Sequence, residues 1–368
     1  MSKPKIIILH DYFLYKGGGE RLIITMAKRL KADIATAFIA EDAFNPKDYG
    51  IKTIELYKES KWSKIPGFRY AQVNLSFLFK TRFVKDYDIV VYSGDCFNAL
   101  YNAKGKTNIA YMHTPPRHLY DSYADRLKTY GILKKLIFVP YAIFNRWRFE
   151  FLTKKLDLII TNSETVKQRI KEYLKLDSVV VYPPCDTSKF KFIQQGDYFF
   201  SWARLYPAKR VDMIVEAFTK MPDKKLIVAS GGPEMERLKK IAHGHDNIKI
   251  IGWISDDQLF ELLGKCLATI YIPIREDFGM SPVESMSAGK PVIGVDEGGL
   301  RETIIHGKTG ILMRPDFDIE ELIKCVKEMT PETVALMKEN CKNRAKDFTE
   351  DKFIDKMNEY LNYHNKYE

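Results

Sequence analysis

The run Arg275-Glu276-Asp277-Phe278-Gly279-Met280-Ser281-Pro282-Val283-Glu284 sets Glu276 and Glu284 on either side of a helix start. Ser281 is a capping residue, Pro282 suits the first helical position, and Glu284 then falls at the third. At about 1.5 Å of rise per residue, the eight steps from one glutamate to the other span roughly 12 Å. A nucleoside diphosphate lying across the helix N-terminus has a similar length, and the free amides and dipole there favour phosphate. One carboxylate can reach a sugar at one end and the other a ribose at the opposite end. A plainer reading stands beside this one: Ser281-x-x-Glu284 is also a capping box, in which Glu284 serves only the backbone.

Upstream, Arg204 and Lys209 stand five apart across Pro207, leaving a strand for a loop and then a helix. A guanidinium fork and an ammonium aimed at a departing diphosphate would offset its growing charge, with no general acid needed. Ordinary surface charge is the alternative. Gly17-Gly18-Gly19-Glu20 follows the first strand and can free amides for an anion, or simply turn the chain. It is not the dinucleotide fingerprint, because the sixth position counted from Gly17 is Leu22, which argues against an NAD enzyme. In His113-Thr114-Pro115-Pro116-Arg117, two prolines stiffen the loop that presents His113. Such a histidine is either a ligand group or a structural one.

These motifs sit on an alternating strand and helix pattern. Strands are expected at 5–9, 33–39, 88–92, 108–112, 157–161 and 178–182, each short and β-branched, as buried parallel strands are. Tyr182-Pro183-Pro184-Cys185-Asp186 breaks the pattern as a linker, and a second series follows at 198–202, 225–229, 247–251, 268–272 and 291–295. The fold class is α/β, with two doubly wound, Rossmann-like domains facing a cleft: residues 1–185, then 186–345. In open parallel sheets ligands bind beyond the carboxyl ends of the strands. Gly17–Gly19, His113, Arg204, Gly231-Gly232 and Glu276 all fall there.

A chain of 368 residues with 45% hydrophobic residues supports two cores. No uninterrupted apolar run is long enough to span a bilayer, and the N-terminus enters the first strand without a signal-peptide layout. Cys96, Cys185, Cys266, Cys325 and Cys341 are scattered without a C-x-x-C, which fits a reducing cytoplasm. Charge is uneven. Residues 1–190 hold 32 basic and 19 acidic residues, +13, and the remainder 26 and 29, −3. The segments 58–85 and 126–155 mix cations with aromatics, among them Trp62 and Trp147, and suit an anionic membrane surface. Solvated helix faces are the alternative; no nucleic-acid motif accompanies the charge, so nucleic acid is not expected.

Taken together, Arg204, Lys209, Glu276 and Glu284, with the triple glycine and the His-Thr-Pro-Pro-Arg run, resemble the retaining glycosyltransferases of the GT-B superfamily, family 4. The His113–Arg117 run is similar to bacterial polysaccharide mannosyltransferases. The resemblance implies transfer of a hexose, mannose from GDP-mannose, onto a glycan or lipid-linked acceptor in cell-surface polysaccharide synthesis. It implies catalytic roles for His113, Arg204, Lys209 and Glu276. Gly18, Gly19, Gly232, Ile254, Phe278, Gly279, Met280, Ser281 and Glu284 would bind the nucleotide sugar, and Arg117 would meet acceptor or phosphate. The last helix, 346–368, would cross back onto the first domain. No cofactor or metal is expected, because Asp86-Tyr87-Asp88 and Asp316-Phe317-Asp318 read as a strand entry and a helix cap. Rival readings are a transferase using a UDP-sugar, a nucleotide-sugar epimerase on the same fold, and a non-catalytic membrane or nucleic-acid binding protein with a degenerate nucleotide site. The protein is expected in the cytoplasm, peripheral on the inner face of the plasma membrane.

Overall fold

The computed structural model describes residues 4–60 and 65–364. The chain divides into two compact units, one running to Pro183 and taking in the residues from Phe353, the other Pro184–Lys352.

In the first unit the strands are β1 (Ile6–His10), β2 (Asp33–Thr36), β3 (Thr53–Glu55), β4 (Ile89–Ser93), β5 (Thr107–Met112), β6 (Leu158–Thr161) and β7 (Val179–Val180). They form one parallel sheet in the order β3-β2-β1-β4-β5-β6-β7. Every residue of β1, β4 and β5 is buried, so the strands read as continuous apolar runs. Their side chains divide with period two. Ile7, Leu9, Val90 and Tyr92 enter one core, and Ile6, Ile8, Ile89 and Val91 the other. The helices are α1 (Gly18–Leu30), α2 (Pro66–Phe79), α3 (Tyr123–Thr129), α4 (Ile132–Thr153) and α5 (Glu164–Leu174).

The second unit holds β8 (Tyr198–Ser201), β9 (Lys225–Ala229), β10 (Ile248–Gly252), β11 (Ala268–Ile270), β12 (Val292–Val295) and β13 (Gly310–Met313). These too are parallel, in the order β10-β9-β8-β11-β12-β13. Its helices are α6 (Val211–Thr219), α7 (Met235–Ala242), α8 (Asp256–Lys265), α9 (Met280–Ser287), α10 (Leu300–Thr303), α11 (Ile319–Glu328) and α12 (Pro331–Ala345). Three helix starts behave as their sequences dictate. Ser255 and Gln258 close a full capping box, Asp318 accepts from Glu321 N, and Thr330 caps a helix whose first residue is Pro331.

The final helix, α13 (Glu350–His364), packs on the first sheet as expected. Phe353, Ile354, Met357 and Leu361 share one helical face and join the core that contains Ile8, Val91 and Tyr111. Among the described residues, no helix is long and apolar enough to cross a membrane.

In each sheet the strand order reverses once, between β1 and β4 and between β8 and β11. At such a switch point the loops at the carboxyl ends part and leave a crevice.

Candidate functional site

At the β8/β11 reversal, Lys209 occupies a tight turn, Pro207–Lys209, just before α6. Its Nζ donates to Glu276 Oε2 at 2.7 Å and to Tyr271 OH at 2.9 Å. Both charged side chains are mostly buried, which strengthens the pair over a surface one. Burial, with Glu276 adding, pushes the Tyr271 phenol well above its ordinary range, so it stays protonated. The neighbouring Arg210 takes a left-handed backbone (φ 51°) and donates to the carbonyls of Ile272 and Pro273 at 2.6 and 3.2 Å. It staples the loop after β8 to the loop after β11, and thereby sets the distance from Lys209 to Glu276. Arg204 lies exposed on the first of these loops. Leu205 N donates to the Gly231 carbonyl at 3.0 Å, and Gly232 lies against the Leu205 carbonyl. Ile254 follows the exposed Trp253 immediately before α8.

The Glu276–Glu284 stretch departs from expectation at the helix start. Gly279, not Ser281, is the cap of α9, with φ 91° and no side-chain cap bond. A left-handed turn of that kind favours glycine, and it starts the helix at Met280. Ser281 therefore sits at the second helical position and Glu284 at the fifth, so the Ser281-x-x-Glu284 capping box does not form. Phe278 is buried against Phe348 (ring centroids 5.5 Å apart), leaving its backbone as the part that can meet a ligand.

Two glycines the sequence reading passed over lock this loop. Gly299 N donates to the Glu276 carbonyl at 3.0 Å. A Cβ at Gly298 would collide with that carbonyl, and one at Gly299 with Phe278 Cα. The signal was a Gly-Gly pair separated by two residues from the end of β12, at the carboxyl edge of the sheet.

In the first unit, Gly17 caps α1, and Gly18 and Gly19 form its first helical positions rather than a loop. Gly19 faces His113: a Cβ there would stand 3.9 Å from His113 Cε1, an ordinary contact. His113 Nε2 is 3.1 Å from Ser93 Oγ, which is 3.3 Å from His10 Nδ1, and His10 Nε2 is 3.7 Å from Asp11 Oδ1. Burial, with His10 adding, pulls the His113 imidazole down to about 4, so it is neutral at pH 7 and acts as a hydrogen-bonding group. Burial raises the Asp11 carboxyl. His10, Asp11 and Ser93 were missed, although the reversal between β1 and β4 marks their position. Arg117 pairs with Asp121 (4.0 Å) and does not line the pocket that His113 and Asp11 share.

Of the two aspartate triplets, Asp88 accepts from Lys5 N at 2.7 Å and Asp318 caps α11. The five cysteines are buried and free.

Comparison with known proteins gives this arrangement a lineage. An uncharacterized glycosyltransferase of Methanocaldococcus jannaschii is 25% identical over 359 residues, covering 95% of each chain. The human alpha-1,3/1,6-mannosyltransferase ALG2 is 27% identical over 366 residues, covering 86% of this chain and 85% of its own. Among solved structures, HepE of Anabaena in complex with UDP superposes with a TM-score of 0.75 at 19% identity, over 98% of this chain and all of that one. Sucrose-phosphate synthase of Thermosynechococcus elongatus gives 0.78 at 16% identity, over 99% and 100%. Residues 16–189 match the family described as Glycosyltransferase Family 4, and residues 186–348 the one described as Glycosyl transferases group 1. The two matches meet end to end, and the chain is a glycosyltransferase of family 4 with the GT-B fold.

Proposed function

We propose that this glycosyltransferase moves mannose from GDP-mannose, with retention at the anomeric carbon, onto a glycan or lipid-linked acceptor in cell-surface polysaccharide synthesis. The observation that carries the reading is the Lys209–Glu276 pair at the β8/β11 reversal, beside the N-terminus of α9. The nucleotide diphosphate lies across that N-terminus, whose amides at Met280 and Ser281 favour phosphate. Arg204 and Lys209 meet the diphosphate, Glu276 orients the sugar, and Glu284 takes the ribose. Gly232, Ile254, Phe278 and Gly279 contribute backbone, and in the first unit Gly18, Gly19 and the neutral His113 are the candidates for sugar contact. The bond from the anomeric carbon to the phosphate oxygen breaks as the acceptor oxygen attacks from the same side. The acceptor's proton passes to the departing phosphate oxygen, and the two cations offset the charge left there.

Mannose is supported by the human mannosyltransferase relative and by His113–Arg117. HepE, solved with UDP, supports a uridine donor as the second reading. The cations and aromatics of segments 58–85 and 126–155 support a peripheral seat on an anionic inner membrane face; residues 61–64, Trp62 among them, lie outside the described structure.

A panel of nucleotide sugars followed by thermal shift tests the donor. GDP-mannose at 100 times its dissociation constant should stabilise the fold by about 2.7 kcal/mol. A larger shift with a UDP-sugar would move the donor to uridine, and donor consumption without an acceptor would mean epimerisation. No shift with any nucleotide sugar would overturn the reading.

A further inference from the structure

Helix α4 is apolar on two opposite faces. Inward, Phe149 and Leu152 are buried in the core under the first sheet. Phe138, Tyr141 and Phe149 also wall a pocket of about 780 Å³ that reaches Asp11 and His113. Outward, Ile132, Leu133, Leu136 and Ile137 are 67–79% exposed, and Ile143, Phe144 and Trp147 are 59–63% exposed. At about 100° per residue these seven fall in one stripe about 140° wide. A contiguous apolar stripe of this length marks an interaction surface.

Its charge surroundings select the partner. Residues 126–155 hold eight basic residues and one acidic, Glu150, within the half of the chain that carries +13. Cations flanking an apolar helical stripe suit an anionic bilayer, with rings and aliphatic groups at headgroup depth.

The pocket reaches the edge of the same stripe, because the exposed Ile137 is part of its lining, with the exposed Lys134 beyond that edge also in the lining. Arg69, Arg126 and Lys134 contribute cations, while Tyr12, Tyr70 and Phe97 contribute aromatic walls. Asp95, also in the lining, is tied to Arg148 at 3.1 Å. Aromatic walls with cations at the mouth match an apolar chain carrying a phosphate better than a bare glycan, which needs many hydrogen-bonding partners.

We propose that α4 seats in an anionic bilayer by its outer stripe and takes from it a phosphate-headed lipid acceptor. The phosphate lies among Arg69, Arg126 and Lys134, and the apolar chain runs past Ile137 back to the bilayer. This rests on the transferase reading and names its acceptor class.

Two measurements on the full chain test it. Calorimetric titration with farnesyl diphosphate, farnesol and inorganic diphosphate reads the pocket. Farnesyl diphosphate should bind, each part alone far more weakly, and Arg126→Ala should weaken binding about tenfold. Equal binding of inorganic diphosphate or of farnesol, or binding of a soluble oligosaccharide in their place, overturns the acceptor class. Co-sedimentation with phosphatidylglycerol and phosphatidylcholine vesicles reads the stripe. The protein should pellet with the first and little with the second, and Leu133→Glu with Leu136→Glu should release it while farnesyl diphosphate still binds. Unchanged sedimentation of that double variant overturns the membrane seat. Neither readout uses a nucleotide sugar, so a failed donor panel and a failed acceptor test are told apart.

Discussion

The two sites of this molecule are built from different material. In the second unit, reactive groups come from the loop after β8, 204–210, and from the loop after β11 with the start of α9, 271–284, locked by backbone bonds and by Gly298 and Gly299. In the first unit, Asp11 and His113, linked through His10 and Ser93 behind them, line a pocket walled by aromatic side chains of α2 and α4. The contrast follows from what each is proposed to hold. A diphosphate is small and charged, and backbone must come close to it, which puts glycine at the contact points. An apolar ligand is held by shape, and side chains supply shape without demanding a special backbone.

Removing a cation from the second unit should have the largest effect. Lys209→Ala and Arg204→Ala should each lower kcat by about 10²–10³ with the fold intact. Steady-state kinetics on folded protein decide this, and near-normal kcat in both would leave the loops without their assigned chemistry. Next come the paired glutamates. Glu276→Gln should lower kcat, whereas Glu284→Gln should raise the donor KM, each by about tenfold. The reverse split would exchange their roles.

Glycine substitutions compare the two units directly. Gly299→Ala should cost about 1–3 kcal/mol, because its methyl meets the Phe278 backbone. Gly19→Ala meets only an ordinary contact with His113 and should be nearly neutral in Tm. Equal losses would erase the distinction.

A smaller effect concerns protons. The unfolded chain protonates His113 near its ordinary 6.5, the folded chain only near 4. Stability should therefore fall as pH drops from 6.5 towards 4, and His113→Asn should flatten that slope. Asp11, with its carboxyl raised, works in the opposite sense, so Asp11→Asn should steepen it. Thermal melts across this window separate the two. The smallest effect is none: transfer should survive excess EDTA, if Arg204 and Lys209 supply the positive charge as proposed. Activity restored only by Mn²⁺ or Mg²⁺ would count against that division of labour.

Much of this was legible in the chain for physical reasons. Buried parallel strands such as β4 and β5 are short apolar runs, and loops at their carboxyl ends carry the polar residues. The edge strands β3 and β13 went unread because they are three and four residues long and only partly buried. The start of α9 was misplaced because Ser281-Pro282 is a good local start signal, yet the left-handed turn at Gly279 comes first. The His10–Ser93 contact joins residues 83 apart, and no local pattern announces it. The staple role of Arg210 was not legible either, since it depends on carbonyls 62 and 63 residues on.

The packing of α13 has a consequence for synthesis. The second unit is one unbroken run, Pro184–Lys352, whereas the first needs Phe353, Ile354, Met357 and Leu361 to cover Ile8, Val91 and Tyr111. At about 5–20 residues per second, the ribosome takes roughly 10–30 s to make the intervening stretch. Throughout that interval the half translated first waits with an apolar strip uncovered, while the half translated second can complete its core. The order of birth and the order of maturation are inverted, and the nascent first unit is the form a chaperone would have to guard.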